Sequence, residues 1–192
     1  VCNNSIRFYS FAVTEKLPQS ATTHIELNTS GIVKNYLLGQ EFDASGLAVN
    51  LAYENGRLDL LDPSKYTITV DDTFTTSAGV KTIKVTYQYN ADTVYTEEFT
   101  VNVCEVESLV LYQHTLNASR QTINNQVIFN VNGTFNYDSL VVKAKCKIPG
   151  TDEYVEFLLS DKEYVVSNVD LTTTGNKSVT ITYGTGETAV TA

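Results

Sequence analysis

Methionine and tryptophan are absent from the 192 residues, and only three prolines, three cysteines and two histidines occur. So few prolines exclude a proline-rich stalk, and the scattered histidines and cysteines have no zinc-binding spacing. Basic side chains are also scarce, since 13 lysines and arginines stand against 22 aspartates and glutamates, for a formal net charge of -9. Nucleic-acid surfaces need clustered positive charge, so we expect no nucleic-acid partner.

Long apolar runs are missing as well. No stretch approaches the roughly 18 apolar residues of a membrane span, so we expect no membrane insertion within this segment. Abundant instead are residues that suit a pleated sheet: 26 threonines, 22 valines, 12 tyrosines and 8 phenylalanines. Branched and aromatic side chains favour strands over helices, and the composition therefore predicts an all-β protein.

Apolar and polar residues alternate in several short segments separated by turn sequences such as Asn55-Gly56 and Asp62-Pro63-Ser64. A period of two with one polar face is typical of antiparallel sheets that have one solvated side, and several such strands indicate a sandwich. The residues predicted to face the core are Leu47, Val49, Leu51 and Tyr53; Tyr66, Ile68 and Val70; Ile83, Val85 and Tyr87; and Phe99, Val101 and Val103.

The second half of the chain repeats the first. FDASGL at 42–47 matches FNYDSL at 135–140, and GVKTIKVTY at 79–87 matches GNKSVTITY at 175–183, with order kept and gaps in loops. We therefore predict two tandem antiparallel β-sandwiches in an extended arrangement. Their expected bounds are 22–103 and 104–192, the last strand of the second being cut short at Ala192.

Residues 1–21 precede the first predicted domain as a strand and linker segment. The apolar run Ile6–Val13 contains Arg7 and is too short for a signal peptide. Two interpretations stay open: the segment is the final strand of a preceding repeat, or it packs along the first domain. The aromatic residues Phe8, Tyr9 and Phe11 need cover, which favours packing.

The first copy resembles the bacterial immunoglobulin-like domains of the group often called Big_3. The match begins with Tyr36-x-x-Gly39-Gln40-x-Phe42-Asp43-x-x-Gly46-Leu47 and ends with Phe99-Thr100-Val101-Asn102-Val103. The second copy resembles the family more weakly, because it lacks the Tyr-x-x-Gly-Gln entry and the Asn-Gly turn. Its assignment depends on the internal repeat.

The resemblance implies a non-catalytic structural spacer or an adhesion segment of a bacterial cell-surface protein, extracellular and monomeric, whose partner is an unknown surface protein or glycan. The alternative is a carbohydrate- or ligand-binding accessory module of a secreted enzyme, motivated by Tyr89, Tyr95, Tyr112 and Tyr137. Some bacterial surface domains of this kind carry a Lys–Asn crosslink in the core. Lys84, Lys143, Lys145 and Lys147 have outward parity, so we expect none here.

Cysteine positions allow one disulfide. Cys146 faces inward in its strand and is interpreted as a small buried hydrophobic residue. Cys2 and Cys104 remain as a candidate pair, because Cys104 follows the last strand of the first copy and twenty extended residues span up to ~65 Å.

No catalytic, cofactor or metal site is predicted. His24 and His114 lie about one repeat apart, and the chain contains no Gly-x-Ser-x-Gly elbow. Glu97-Glu98 are strand neighbours that point to opposite faces, so we interpret them as a bulge or an exposed edge and not as an acid–base pair. Acidic pairs such as Asp71-Asp72 lack the spacing of a calcium loop.

Overall fold

A computed structural model describes residues 20–113, 122–123, 126–127, 130–134, 140–186 and 189–192. The N-terminal half comprises β1 Thr22–Asn28, β2 Asn35–Leu37, β3 Ala48–Tyr53, β4 Leu58–Leu60, β5 Tyr66–Val70, β6 Gly79–Gln88 and β7 Val94–Cys104, with a 3-10 turn at Pro63–Lys65. The C-terminal half comprises β8 Val106–Gln113, β9 Thr122–Ile123, β10 Gln126–Val127, β11 Leu140–Lys147, β12 Tyr154–Leu158, β13 Tyr164–Val166, β14 Ile181–Tyr183 and β15 Val190–Thr191.

The N-terminal half is a sandwich of two sheets, with strand orders β1-β3-β4 and β2-β7-β6-β5. The alternation predicted from the sequence is confirmed, because Val49, Leu51, Ile83, Val85 and Val101 are all buried. β2 differs from the antiparallel prediction. It pairs in parallel with the end of β7, where Tyr36 lies opposite Val103, while the other pairs in this half are antiparallel.

The Tyr-x-x-Gly-Gln sequence of the first copy forms a tight turn against the core. Tyr36 is buried and packs edge-on against Phe74, with ring centroids 5.2 Å apart. Gly39 has a φ of 94°, a conformation that costs glycine little. The Gln40 side chain accepts a hydrogen bond from the Leu37 amide at 2.8 Å. The turn follows β2, where the chain leaves β7 of the second sheet before it returns to the first sheet at β3.

The described strands of the C-terminal half follow the same order. β12-β11-β8 form one sheet, as β4-β3-β1 do, and β13-β14-β15 form another, as β5-β6-β7 do. Val142, Ala144 and Cys146 of β11 are buried, which confirms their predicted inward orientation. Residues 184–186 lie between β14 and β15.

The two halves are in direct contact at their junction. Only Glu105 separates β7 from β8. Leu37 and Cys104, which belong to the N-terminal strands, are buried in the same cluster as Leu109, Val142 and other residues of the C-terminal half. The junction therefore shares a core, which restricts bending between the halves.

Of the segment 1–21, only Ser20 and Ala21 belong to the described residues. The Asn55 amide donates to Ser20 Oγ at 3.0 Å, and the Glu54 amide donates to the Ala21 carbonyl at 3.0 Å. The chain therefore enters β1 beside the β3–β4 turn. The predicted strand at 6–13 and its packing lie outside the described residues.

Candidate interaction surface

One face of the β8–β11–β12 sheet carries aromatic, apolar and charged side chains together. Because side chains alternate along a strand, the buried set at Val142, Ala144 and Cys146 leaves the intervening residues of β11 on the other face. The register places their neighbours beside them. The outward residues are Val141, Lys143, Lys145 and Lys147 of β11, Ser108, Val110 and Tyr112 of β8, and Tyr154, Glu156 and Leu158 of β12.

Glu156 organises the centre of this face. Its Oε2 accepts a hydrogen bond from Tyr112 Oη at 3.0 Å and from Lys143 Nζ at 3.1 Å. Lys143 Nζ also lies 4.6 Å from the centroid of the Tyr112 ring. The ammonium of Lys143, and then the Tyr112 hydroxyl, lower the pKa of Glu156. Glu156 is therefore held as a carboxylate and is unsuited to act as a general acid at neutral pH.

A second aromatic–cation contact lies at the other end of the face. Lys145 Nζ is 4.3 Å from the Tyr154 ring centroid, and Lys147 Nζ is 2.9 Å from Asp152 Oδ1. Tyr154 is 45% exposed and Leu158 70%. These contacts hold lysine side chains against the aromatic rings and leave apolar surface open to solvent.

The spacing of the two tyrosines defines the size of a possible ligand. Tyr112 lies opposite Val141 and Tyr154 opposite Lys147, six residues further along β11. At about 3.3 Å per residue and about 4.8 Å per strand, their Cα atoms are roughly 20 Å apart. The face therefore suits an extended chain or a protein surface better than a single small molecule.

The other tyrosines considered from the sequence are placed differently. Tyr95 Oη donates to the Thr22 carbonyl at 3.0 Å and so links β7 to β1. Tyr89, which is 43% exposed, packs with its ring centroid 6.0 Å from that of Tyr95. Tyr137 lies outside the described residues. Tyr95 therefore has a packing role, and Tyr89 is isolated from the sheet face that bears Tyr112.

Glu97 and Glu98 lie on a regular part of β7. They pair with Val85 and Lys84 in a register that runs unbroken along β6, and both are exposed. The bulge interpretation was wrong. For the exposed-edge interpretation, both residues are exposed, and among the described strands only β6 pairs with β7 at this point, since β2 pairs with it at 102–104. The two glutamates line a shallow open groove together with His24 and Glu26 of β1. This groove offers no enclosed site for acid–base chemistry.

Several acidic side chains accept hydrogen bonds from residues close to them in the chain. Asp71 Oδ1 accepts from the Thr73 amide at 2.7 Å, and Asp62 Oδ1 accepts from the Ser64 amide at 2.8 Å. Asp59 accepts from Arg57 Nε at 2.9 Å and from Tyr53 Oη at 2.9 Å. Within the described ranges no group of three or more histidine, cysteine, aspartate or glutamate side chains is placed to hold a metal.

Sequence analysis missed a buried lysine. Lys81 is only 4% exposed, and its Nζ donates to Thr73 Oγ1 at 2.6 Å and to Ser77 Oγ at 2.8 Å. The Thr73 hydroxyl in turn donates to Asp71 Oδ1. Hydrogen bonds from Thr73, and to a smaller extent the charge of Lys81, lower the pKa of the Asp71 carboxyl. Lys81 lies two residues before Ile83 in β6, so its side chain lies on the same inward face, and this spacing was the sequence signal for the burial of Lys81. The other considered lysines, at positions 84, 143, 145 and 147, have the predicted outward orientation.

Only part of the candidate disulfide can be placed. Cys2 lies outside the described residues, so the Cys2–Cys104 pairing stays a prediction. Cys104 and Cys146 are both fully buried as free thiols. They belong to the same core cluster, which the sequence did not reveal.

Comparison with known proteins supports the family resemblance of the first copy. Residues 34–103 match the family of the bacterial Ig-like domain, group 3. The match covers β2 to β7 and indicates a bacterial structural or interaction module of a generally non-catalytic family. No curated protein and no solved structure matched the chain. None of the described residues forms a helix long and apolar enough to span a bilayer.

Proposed function

We propose that this chain is a non-catalytic structural spacer or an adhesion segment of a bacterial cell-surface protein. The observation that carries the proposal is the match of residues 34–103 to a bacterial Ig-like family within a two-sheet sandwich. The acidic surface, with a net charge of -9, suits an exported and soluble segment. Detection of the protein on intact cells of its bacterium by external protease, with a cytoplasmic protein protected, tests the location.

The proposal includes a second copy of the domain at 104–192. Support comes from the shared strand order of the two halves and from one loop in particular. Gly79 and Gly175, aligned by the sequence repeat, have φ values of 136° and 116°. Lys177 Nζ donates to Thr173 Oγ1 at 2.7 Å, as Lys81 Nζ donates to Ser77 Oγ, four residues before it, at 2.8 Å. Two homologous copies account for the same glycine and lysine geometry in both halves.

The arrangement of the copies is proposed to be an extended monomer. One residue between β7 and β8 and a shared core at the junction support a stiff connection. Small-angle X-ray scattering of the full chain measures this directly. A compact globule of this length has a radius of gyration near 16 Å, whereas two sandwiches end to end give a value above about 20 Å. A value near 16 Å, or a dimeric mass, contradicts the extended monomer.

A second candidate function is binding of an extended glycan as an accessory module. The favouring observation is the sheet face on which Tyr112, Tyr154 and three lysines lie in fixed contacts. A glycan array tests it, with Tyr112→Ala and Tyr154→Ala expected to lose any signal. Tyr89→Ala, an exposed tyrosine in the other half, is the matched control. No signal at high protein concentration, or equal loss in the control, overturns this candidate.

A further inference from the structure

Two buried thiols meet where the halves of the chain join. Cys104 is the last residue of β7, and Cys146 lies near the end of the central strand β11. Both have no exposed surface, and both belong to the cluster that includes Leu109, Val142 and Ile181. The last residue of the N-terminal strands thus forms part of the C-terminal core.

Cys104 lies just before the point where β8 begins to pair with β11. Cys146 lies opposite Val106, and Cys104 precedes Val106 by two residues. Side chains two residues apart in an extended chain point the same way, so Cys104 faces the interior on the side of Cys146. Diagonal pairs have Cα atoms about 7–8 Å apart with Cβ atoms closer, whereas a disulfide spans about 4.4–6.8 Å between Cα atoms. If the extended chain keeps the β8 register through Glu105, the two cysteines form such a diagonal pair, and an approach of roughly 1 Å is sufficient.

The local backbone favours that approach. The register between β8 and β11 is broken by a bulge between Lys145 and Cys146. Bulges bend the strand and increase its twist, and Glu105 alone joins β7 to β8.

We propose that Cys104 and Cys146 form a disulfide that links the end of the first sandwich to the central strand of the second. The oxidant is a disulfide, either oxidised glutathione or the active-site disulfide of a thiol oxidoreductase. One cysteine attacks it and forms a mixed disulfide, releasing one thiol. The other cysteine then displaces the second thiol, so the protein gains one S–S bond and the oxidant takes up both hydrogens. In the cell this depends on the proposed export, because oxidising compartments retain disulfides.

Burial determines when the bond forms. It raises the pKa of the Cys146 thiol to about 12, with smaller contributions from the nearby Cys104 and Glu107, and it also raises the pKa of Cys104. The thiolate is the attacking species, so oxidation of the folded junction is slow. The bond forms during folding or when the junction opens, and refolding is the appropriate condition for a test.

The test is a disulfide map of the full chain after refolding with reduced and oxidised glutathione. Free thiols are blocked, and the chain is cleaved after aspartate and glutamate without reduction. The three cysteines then fall on separate peptides, 1–15, 99–105 and 139–152. We expect 99–105 joined to 139–152, with the 1–15 peptide carrying the blocking group.

Other pairings overturn the proposal. A link between 1–15 and 99–105 establishes the Cys2–Cys104 pairing instead, and three blocked peptides show that no bond forms. Cys2→Ser is expected to keep the crosslink. Reduction is expected to lower the melting temperature of the oxidised chain by about 5–10 °C. Reduction is expected to leave the melting temperature of the Cys146→Ala variant unchanged.

Failure here is separable from failure of the proposed function. The map is made in a redox buffer with purified protein and does not depend on export, whereas the protease experiment on cells does not depend on the cysteines. A crosslink in vitro with an intracellular protein refutes only the surface location. An unlinked junction in a surface-exposed protein refutes only the disulfide.

Discussion

Replacement of Gly46 by alanine tests the closest backbone approach in the N-terminal sandwich. A Cβ atom at Gly46 would lie 2.0 Å from the carbonyl oxygen of Gly31 and 2.3 Å from its carbon. Ordinary contact begins near 3.4 Å, so the two loops must separate by more than 1 Å. Both are fixed by backbone hydrogen bonds, Leu47 to Ala44 at 2.9 Å and Ile32 to Thr29 at 3.1 Å.

Separation of these loops also disturbs the core, because Ile32 follows Gly31 and is only 6% exposed. Overpacking costs about 1–3 kcal/mol where side chains adjust, and here the obstacle is backbone. We therefore expect Gly46→Ala to lower the free energy of unfolding by at least about 3 kcal/mol, which is roughly 12 °C or more in melting temperature for a domain of this size.

Two matched variants serve as controls for Gly46→Ala. At Gly31 the nearest atom to an added Cβ is the Gly46 oxygen at 2.9 Å, so Gly31→Ala should be milder. Ser45→Ala, at an exposed neighbour, should change stability by less than about 0.5 kcal/mol. Circular dichroism melts and urea titrations of the full chain measure the series. A Gly46→Ala melt equal to that of Ser45→Ala refutes the argument.

Three further outcomes follow from individual side chains. Lys81→Ala should lower the free energy of unfolding by about 2–3 kcal/mol in urea titrations, because a buried aliphatic stem and hydrogen bonds to two hydroxyls are lost. Lys84→Ala, at an exposed position of the same strand, should lower it by less than about 0.5 kcal/mol. Equal losses in the two variants contradict this prediction. Ile83→Ala, in the fully buried centre of β6, should cost about 2–5 kcal/mol, and a loss below about 1 kcal/mol in the same titration argues against a packed core there. Folding lowers the pKa of Asp71 and of Glu156, so their stabilisation is present above the unfolded-state values and is lost as pH falls through the folded-state values. The melting temperature should therefore drop below about pH 4, modestly because both groups are exposed to solvent, and a melting temperature that rises on acidification refutes the assignment.

Local patterns were sufficient to predict the strands. Alternation at Val49 and Leu51, and again at Ile83 and Val85, has the period that a half-buried strand requires, and each of these residues is buried. The turn at Asp62-Pro63-Ser64 was also predictable, because aspartate accepts a hydrogen bond from the amide two residues later. These outcomes depend on neighbours in the chain and need no knowledge of the tertiary structure.

Less of the candidate interaction surface could be predicted. The outward parity of the lysines on β11 followed from the sequence, but their aromatic partners did not. Tyr112 lies 31 residues before Lys143 in the chain, and Tyr154 lies 9 residues after Lys145. The register between strands brings them together, and register depends on the whole sheet. Of Tyr89, Tyr95 and Tyr112, the first-considered tyrosines that the structure describes, Tyr112 alone lies on this face.

The sequence by itself determined the strand-rich composition and the inward and outward faces of the strands. Each follows from the period of two and from composition, which are properties of neighbouring residues. The tertiary structure alone decided the parallel pairing of β2 with β7, the close approach of Gly31 and Gly46, and the meeting of Cys104 with Cys146. Those contacts join residues far apart in the chain, and only the packing of one sheet against another fixes their distances.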